Sequence, residues 1–100
     1  MDIMTYIAKG KENAISRQDL CNLMALPDRT VRKLIQEARD QGEVIINAQD
    51  GAGYYTSDNV EELERQYNTN QHRALSILRQ QRHIRRQIEE INNQNQLKML

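Results

Sequence analysis

Pro27 is the residue that most constrains how this chain can fold. Proline has no backbone N–H and a fixed φ, so a helix arriving from its N-terminal side has to stop before it. Residues 16–36 therefore cannot form one helix, although helical periodicity lies on both sides of the proline. On the near side Ser16 can cap a first turn, and Asp19 stands three residues on. That is a capping box with Asp in place of the usual Glu. The first helix then runs to about Met24 and buries Leu20, Leu23 and Met24. On the far side Asp28 is a natural cap, and Val31, Leu34, Ile35 and Ala38 recur at helical spacing on one apolar face. Two short helices joined by a tight turn are expected.

The opposite face of the second helix carries the chemistry. Arg29, Thr30, Arg32, Lys33 and Gln36 lie on or beside it. Arg and Lys supply charge for phosphates and donors for guanine, Gln can pair with adenine, and Thr can meet backbone or base. Arg17, at the start of the supporting helix, is placed to touch a phosphate.

This stretch resembles a helix-turn-helix, and the sequence after it makes residues 3–57 resemble a winged helix-turn-helix of the bacterial or phage DeoR- and BirA-like regulators. Four positions carry the resemblance. Cys21 is the small residue that lets two helices cross closely, and Ala25 stands at the turn four positions later, where Gly is commoner. Val31 and Leu34 anchor the second helix. The segment DRTVRKLI, followed by Arg39 and Gly42, is similar to recognition helices of that family. The resemblance implies the order helix, strand, helix, helix, strand, strand. Residues 2–9 would be the first helix, with Asp2 as cap. A short strand near Ile15 would pair with the wing, whose strands are 43–47 and 54–56. The bend falls at Asp50-Gly51. The wing tip, Gln49-Asp50-Gly51, has no basic residue, and Asp50 would repel phosphate.

Beyond Ser57 the pattern changes. Ser57 or Asp58 can cap a new helix, and no Pro or Gly follows to Leu100. Val60, Leu63, Tyr67, Asn70, Ala74, Ile77, Gln81, Ile84, Ile88 and Ile91 alternate steps of three and four, a heptad seam with polar breaks at Asn70 and Gln81. A helix over 58–92 would be about 50 Å long, and a domain of this size is about half that across. The seam therefore calls for a partner. A second copy is expected, dimerising through Leu63, Tyr67, Ala74, Ile77, Ile84, Ile88 and Ile91 in a possible coiled coil. Asn68-Thr69-Asn70 is a weak helix former that can break the helix, and residues 93–100 form a polar tail expected to fray.

Charge and composition narrow the function. The net charge is zero, yet residues 1–57 carry seven basic and eight acidic side chains, and residues 73–100 carry six and two. The basic cluster Arg73, Arg79, Arg82, His83, Arg85 and Arg86 reads as the solvated flank of the seam, with binding to nucleic acid or an acidic partner as the alternative. A single Cys excludes an intramolecular disulfide, and Cys21 reads as a small core residue. His72 and His83 have no third ligand in view, so no metal or cofactor is expected. Tyr54 and Tyr55 should split between core and surface. No phosphate loop, dinucleotide motif or catalytic set appears, so an enzyme is not expected. No apolar run reaches membrane-spanning length, and the expected location is cytoplasmic, on the nucleoid if the chain binds DNA. The expected fold is mostly α with a small β-wing. The expected function is sequence-specific duplex DNA binding, as a dimeric transcriptional regulator or a replication or recombination accessory factor. The alternative is a protein-interaction module docking on a larger phage, replication or mobile-element protein.

Overall fold

The computed structural model describes residues 2–99. The chain divides into two compact units, residues 1–66 and 67–100. In order, a 3-10 turn at Ile3–Thr5 and another at Lys11–Asn13 precede helix α1 (Arg17–Met24), helix α2 (Asp28–Asp40), strands β1 (Ile46–Asn47) and β2 (Tyr54–Tyr55), and helix α3 (Val60–Met99).

The two helices around Pro27 form as their sequence dictates. Ser16 Oγ accepts from the Asp19 N–H at 3.1 Å and caps α1. Ala25 closes α1 in the left-handed conformation, φ 54° and ψ 44°, and the Leu26 N–H donates to the Cys21 carbonyl at 3.1 Å. The N-cap of α2 is Pro27 rather than Asp28, which is the first helical residue. At its other end Gly42 (φ 104°) turns the chain back. The N–H groups of Gly42 and Glu43 donate to Arg39 and Ala38 at 3.0 Å, which satisfies two carbonyls that a helix end leaves open. Leu20 and Val31 are fully buried in a cluster with Ile3, Ile7, Ile35, Ala38, Ile45 and Tyr54. Leu23, expected in this core, is 61% exposed, and Met24 is half-buried.

The winged helix-turn-helix architecture is not what forms. The expected first helix over 2–9 is a single 3-10 turn, capped by Asp2 Oδ1 on the Met4 N–H at 3.0 Å. Tertiary pairing stops it from growing: the Ala8 carbonyl accepts from Thr56 at 2.9 Å, and the Gly10 N–H donates to Thr56 at 2.8 Å. Near Ile15 there is no strand, only an isolated bridge to Tyr54. The expected strand 43–47 shrinks to two residues because Glu43 is spent on the end of α2 and the Ile45 carbonyl accepts from Arg39 Nη2 at 2.9 Å. What remains is an α-helical domain with one open two-stranded antiparallel sheet, in which Ile46 pairs with Tyr55 and Asn47 with Tyr54.

Successive residues of a strand point to opposite faces, so this small sheet serves two cores. Tyr54 joins the α1–α2 cluster. Tyr55 joins a second cluster with Ile46 and Ala48, covered by Ala14 and Leu63. Both tyrosines are buried, against the expected split between core and surface. Gly53, at φ 114°, lies so close to the Ile15 carbonyl that no side chain fits there.

The first turns of α3 belong to this unit. Asn59, not Ser57 or Asp58, caps the helix, its Oδ1 accepting from Glu62 at 3.1 Å. The Asn47 N–H donates to Gln66 Oε1 at 3.2 Å. Leu63, expected at a dimer seam, instead packs on the cluster of Tyr55 in its own chain. Within the second unit α3 continues unbroken past Asn68-Thr69-Asn70 and on through Met99. It is a lone helix, with Tyr67, Ile77, Ile84, Ile88 and Ile91 between 47% and 67% exposed, so the expected coiled coil is not an element of this fold.

Two stability tests follow from these contacts. Left-handed backbone costs a non-glycine residue roughly 1–2 kcal/mol, part of which glycine returns as unfolded-chain entropy. Ala25→Gly should therefore raise stability by about 0.5–1 kcal/mol in urea unfolding. Burial, and then the interaction with Glu62, hold the Tyr55 phenol above the ordinary tyrosine pKa. A phenol held neutral in the fold stabilises it fully below about pH 10, and that contribution drains away as pH climbs toward the folded pKa. Urea unfolding between pH 8 and pH 11 should show a smaller alkaline loss for Tyr55→Phe than for the native chain.

Candidate nucleic-acid interface

The outward side of α2 is set by its core. With Val31, Ile35 and Ala38 buried, Arg29, Arg32, Lys33 and Gln36 are exposed and Thr30 is half-buried at the margin. The face is graded in charge. Its N-terminal half carries Arg29, Arg32 and Lys33, and its C-terminal half carries Glu37 and Asp40.

These residues are not equivalent. Asp28 draws two of the expected cations onto itself. Its Oδ1 accepts from Arg17 Nε at 2.5 Å, and Arg32 Nε lies 2.9 Å from its Oδ2. A carboxylate in the first turn of α2 also complements the helix dipole. The Arg17 guanidinium is held above its ordinary pKa by a hydrogen bond to Tyr54 and then by Asp28. Every member of this cluster is 40% or more exposed, so the pairs contribute little to stability. Their effect is positional: Arg17 is tied across from the start of α1 to the start of α2. Gln36 Nε2 donates to Asp40 Oδ1 at 3.0 Å, which fixes its amide along the helix. The side chains of Arg29 and Lys33 have no hydrogen bond or ion pair among the described residues.

Sequence reasoning placed Arg17, Arg29, Thr30, Arg32, Lys33 and Gln36 on one side of the helix pair but missed the role of Asp28. The Asp28–Arg32 spacing of four is a legible helix pair. The Arg17–Asp28 contact spans eleven residues and has no spacing signal. A second missed residue is Lys11, whose Nζ lies 2.8 Å from Asp50 at the sheet's loop. Lys11 and the Ala52 N–H together hold the Asp50 carboxyl below its ordinary pKa. The negative charge expected to repel phosphate there is thus accompanied by a cation.

Elsewhere, Arg73, Arg79, Arg82, His83, Arg85 and Arg86 are all exposed on α3, and Arg85 lies 3.8 Å from Glu89. Cys21 is half-buried and unpaired as a disulfide. Among the described residues no group of three or more His, Cys, Asp or Glu could hold a metal ion, and no helix is long and apolar enough to cross a membrane. No protein-family model matches the chain, and neither a curated protein nor a solved structure matches it significantly.

Proposed function

We propose that this chain binds duplex DNA through the N-terminal half of α2, as a small transcriptional regulator or an accessory factor in replication or recombination. The observation that carries this reading is the pair Arg29 and Lys33. They are exposed, four residues apart on the outward side of α2, and not neutralised by any described residue. A helix presents such a pair to a groove while its other side stays in the core. In this reading Arg29 and Lys33 meet phosphates and guanine, and Thr30 and Gln36 adjust base choice. Arg32 and Arg17 are shared with Asp28, so they exchange a carboxylate for a phosphate on binding. Asp28 is then a brake on affinity.

A second reading is favoured by the acidic half of the same face. Glu37 and Asp40 would be repelled by a DNA backbone, and residues 1–57 carry seven basic against eight acidic side chains. Here the helix pair docks on a larger protein instead.

Selection from random duplex DNA with the full chain separates the two. The DNA reading expects an enriched motif that is lost in Arg29→Ala/Lys33→Ala, with the salt slope of residual binding reduced by about 2. It also expects Asp28→Asn to bind more tightly. Absence of enrichment, or weak binding that the double variant keeps, supports the protein-docking reading.

A further inference from the structure

We propose that residues 73–91 of α3 lie flat on an anionic lipid surface, with a row of isoleucines in the acyl layer and the arginines held by the headgroup charge. This inference is independent of the DNA reading, because it uses none of the residues of α1 or α2.

Ile77, Ile84, Ile88 and Ile91 follow one another at steps of seven, four and three, so α3 carries them in one row about 21 Å long. All four are exposed. The rest of this segment is basic. From Arg73 to Arg86 it carries five arginines and no acidic residue. Among the described residues Arg85 alone of the five has a carboxylate near it, Glu89 at 3.8 Å. An apolar row with a cationic remainder is what a helix needs to lie in a bilayer interface. No helix among the described residues is long and apolar enough to cross a membrane, so the contact is with the surface.

The placement of charge favours a lipid sheet over other acidic occupants. By helical spacing Arg73 stands at the head of the row and Arg85 flanks it, while Arg79, Arg82 and Arg86 lie around the back. An acidic protein segment packed on the row reaches only the first two. A charged plane acts on all five, because the far side of a helix about 10–12 Å across is still about one Debye length away. Duplex DNA supplies the charge but has no apolar layer for the isoleucines. On the flank of the row a shallow groove is lined by Leu78, Gln81, Arg82 and Arg85. An apolar floor edged by two guanidiniums suits a phosphodiester headgroup and the start of its chain. The chain has no Trp or Phe, the usual interfacial anchors, so binding draws on charge as well as on the isoleucines.

The test is flotation of the full chain with vesicles of phosphatidylglycerol and phosphatidylcholine in equal parts, against phosphatidylcholine alone. The chain should float with the anionic vesicles at about 0.1 M salt, be released at about 1 M, and ignore the neutral ones. Arg82→Gln and Arg85→Gln should each weaken binding by about 5-fold. Ile84→Ser/Ile88→Ser should weaken it by about 10-fold with the charge unchanged. Arg29→Ala/Lys33→Ala should float as the native chain does. A second measurement stands if the serine variant loses helicity. On a Cys21→Ser background, a nitroxide on Ile84→Cys should become shielded from an aqueous nickel relaxant on anionic vesicles, and one on Leu75→Cys, on the opposite side of α3, should stay accessible. Equal accessibility at the two sites overturns the proposal. So does failure to float with anionic vesicles, including the case of a chain that pairs with itself or is held through residues 73–91 by polyglutamate or duplex DNA instead. Loss of flotation in Arg29→Ala/Lys33→Ala would move the lipid contact to α2 and overturn it as well.

Discussion

The contact on which the first unit depends is that between α1 and α2. Leu20 and Val31, fully buried, are its centre, and side chains of this kind each contribute roughly 1.5–3 kcal/mol by burial. The turn between them holds the two helices at this approach. Ala25 accepts a left-handed backbone that ordinarily favours glycine, and Pro27 starts α2 with its φ already set. Because one side of α2 is committed to this core, the side bearing Arg29 and Lys33 is committed to solvent. The chemistry of the outer face is a consequence of the packing of the inner one.

The short sheet completes the unit by serving two clusters from consecutive residues. Tyr54 faces the helix pair, and Tyr55 faces the first turns of α3. Leu63 and the Gln66 side chain fasten those turns to β1 and to Tyr55. That attachment explains why the boundary between units falls at residue 66 and not at the end of the sheet.

How much of this was legible depended on whether the signal was local. Pro27, Ser16 with Asp19, and the Val31–Ile35–Ala38 spacing specify α1 and α2 by short-range rules, and both formed. The caps of α2 and α3 were missed locally, at Pro27 and Asn59, and the larger failures were tertiary. Residues 2–9 have helical spacing, but Ala8 and Gly10 are taken by Thr56, which is distant in the chain. Residues 43–45 have strand composition, but the end of α2 and the Arg39 side chain claim them first. Leu63 fits a heptad seam, yet it packs against the Tyr55 cluster of its own chain. The candidate interface followed the same rule. Periodicity put its basic residues on one side of α2, whereas the Asp28 clamp on Arg17 is a contact between two elements that no spacing encodes.

The central claim is that the exposed side of α2, and not the more basic α3, meets DNA. Backbone amide NMR on the full chain, titrated with a pool of random duplex DNA at moderate salt, tests it residue by residue. The account predicts that shifts concentrate on Arg17 and on residues 28–36, while amides of residues 73–91 hold their positions. Shifts confined to residues 73–91, with α2 unmoved, would contradict it.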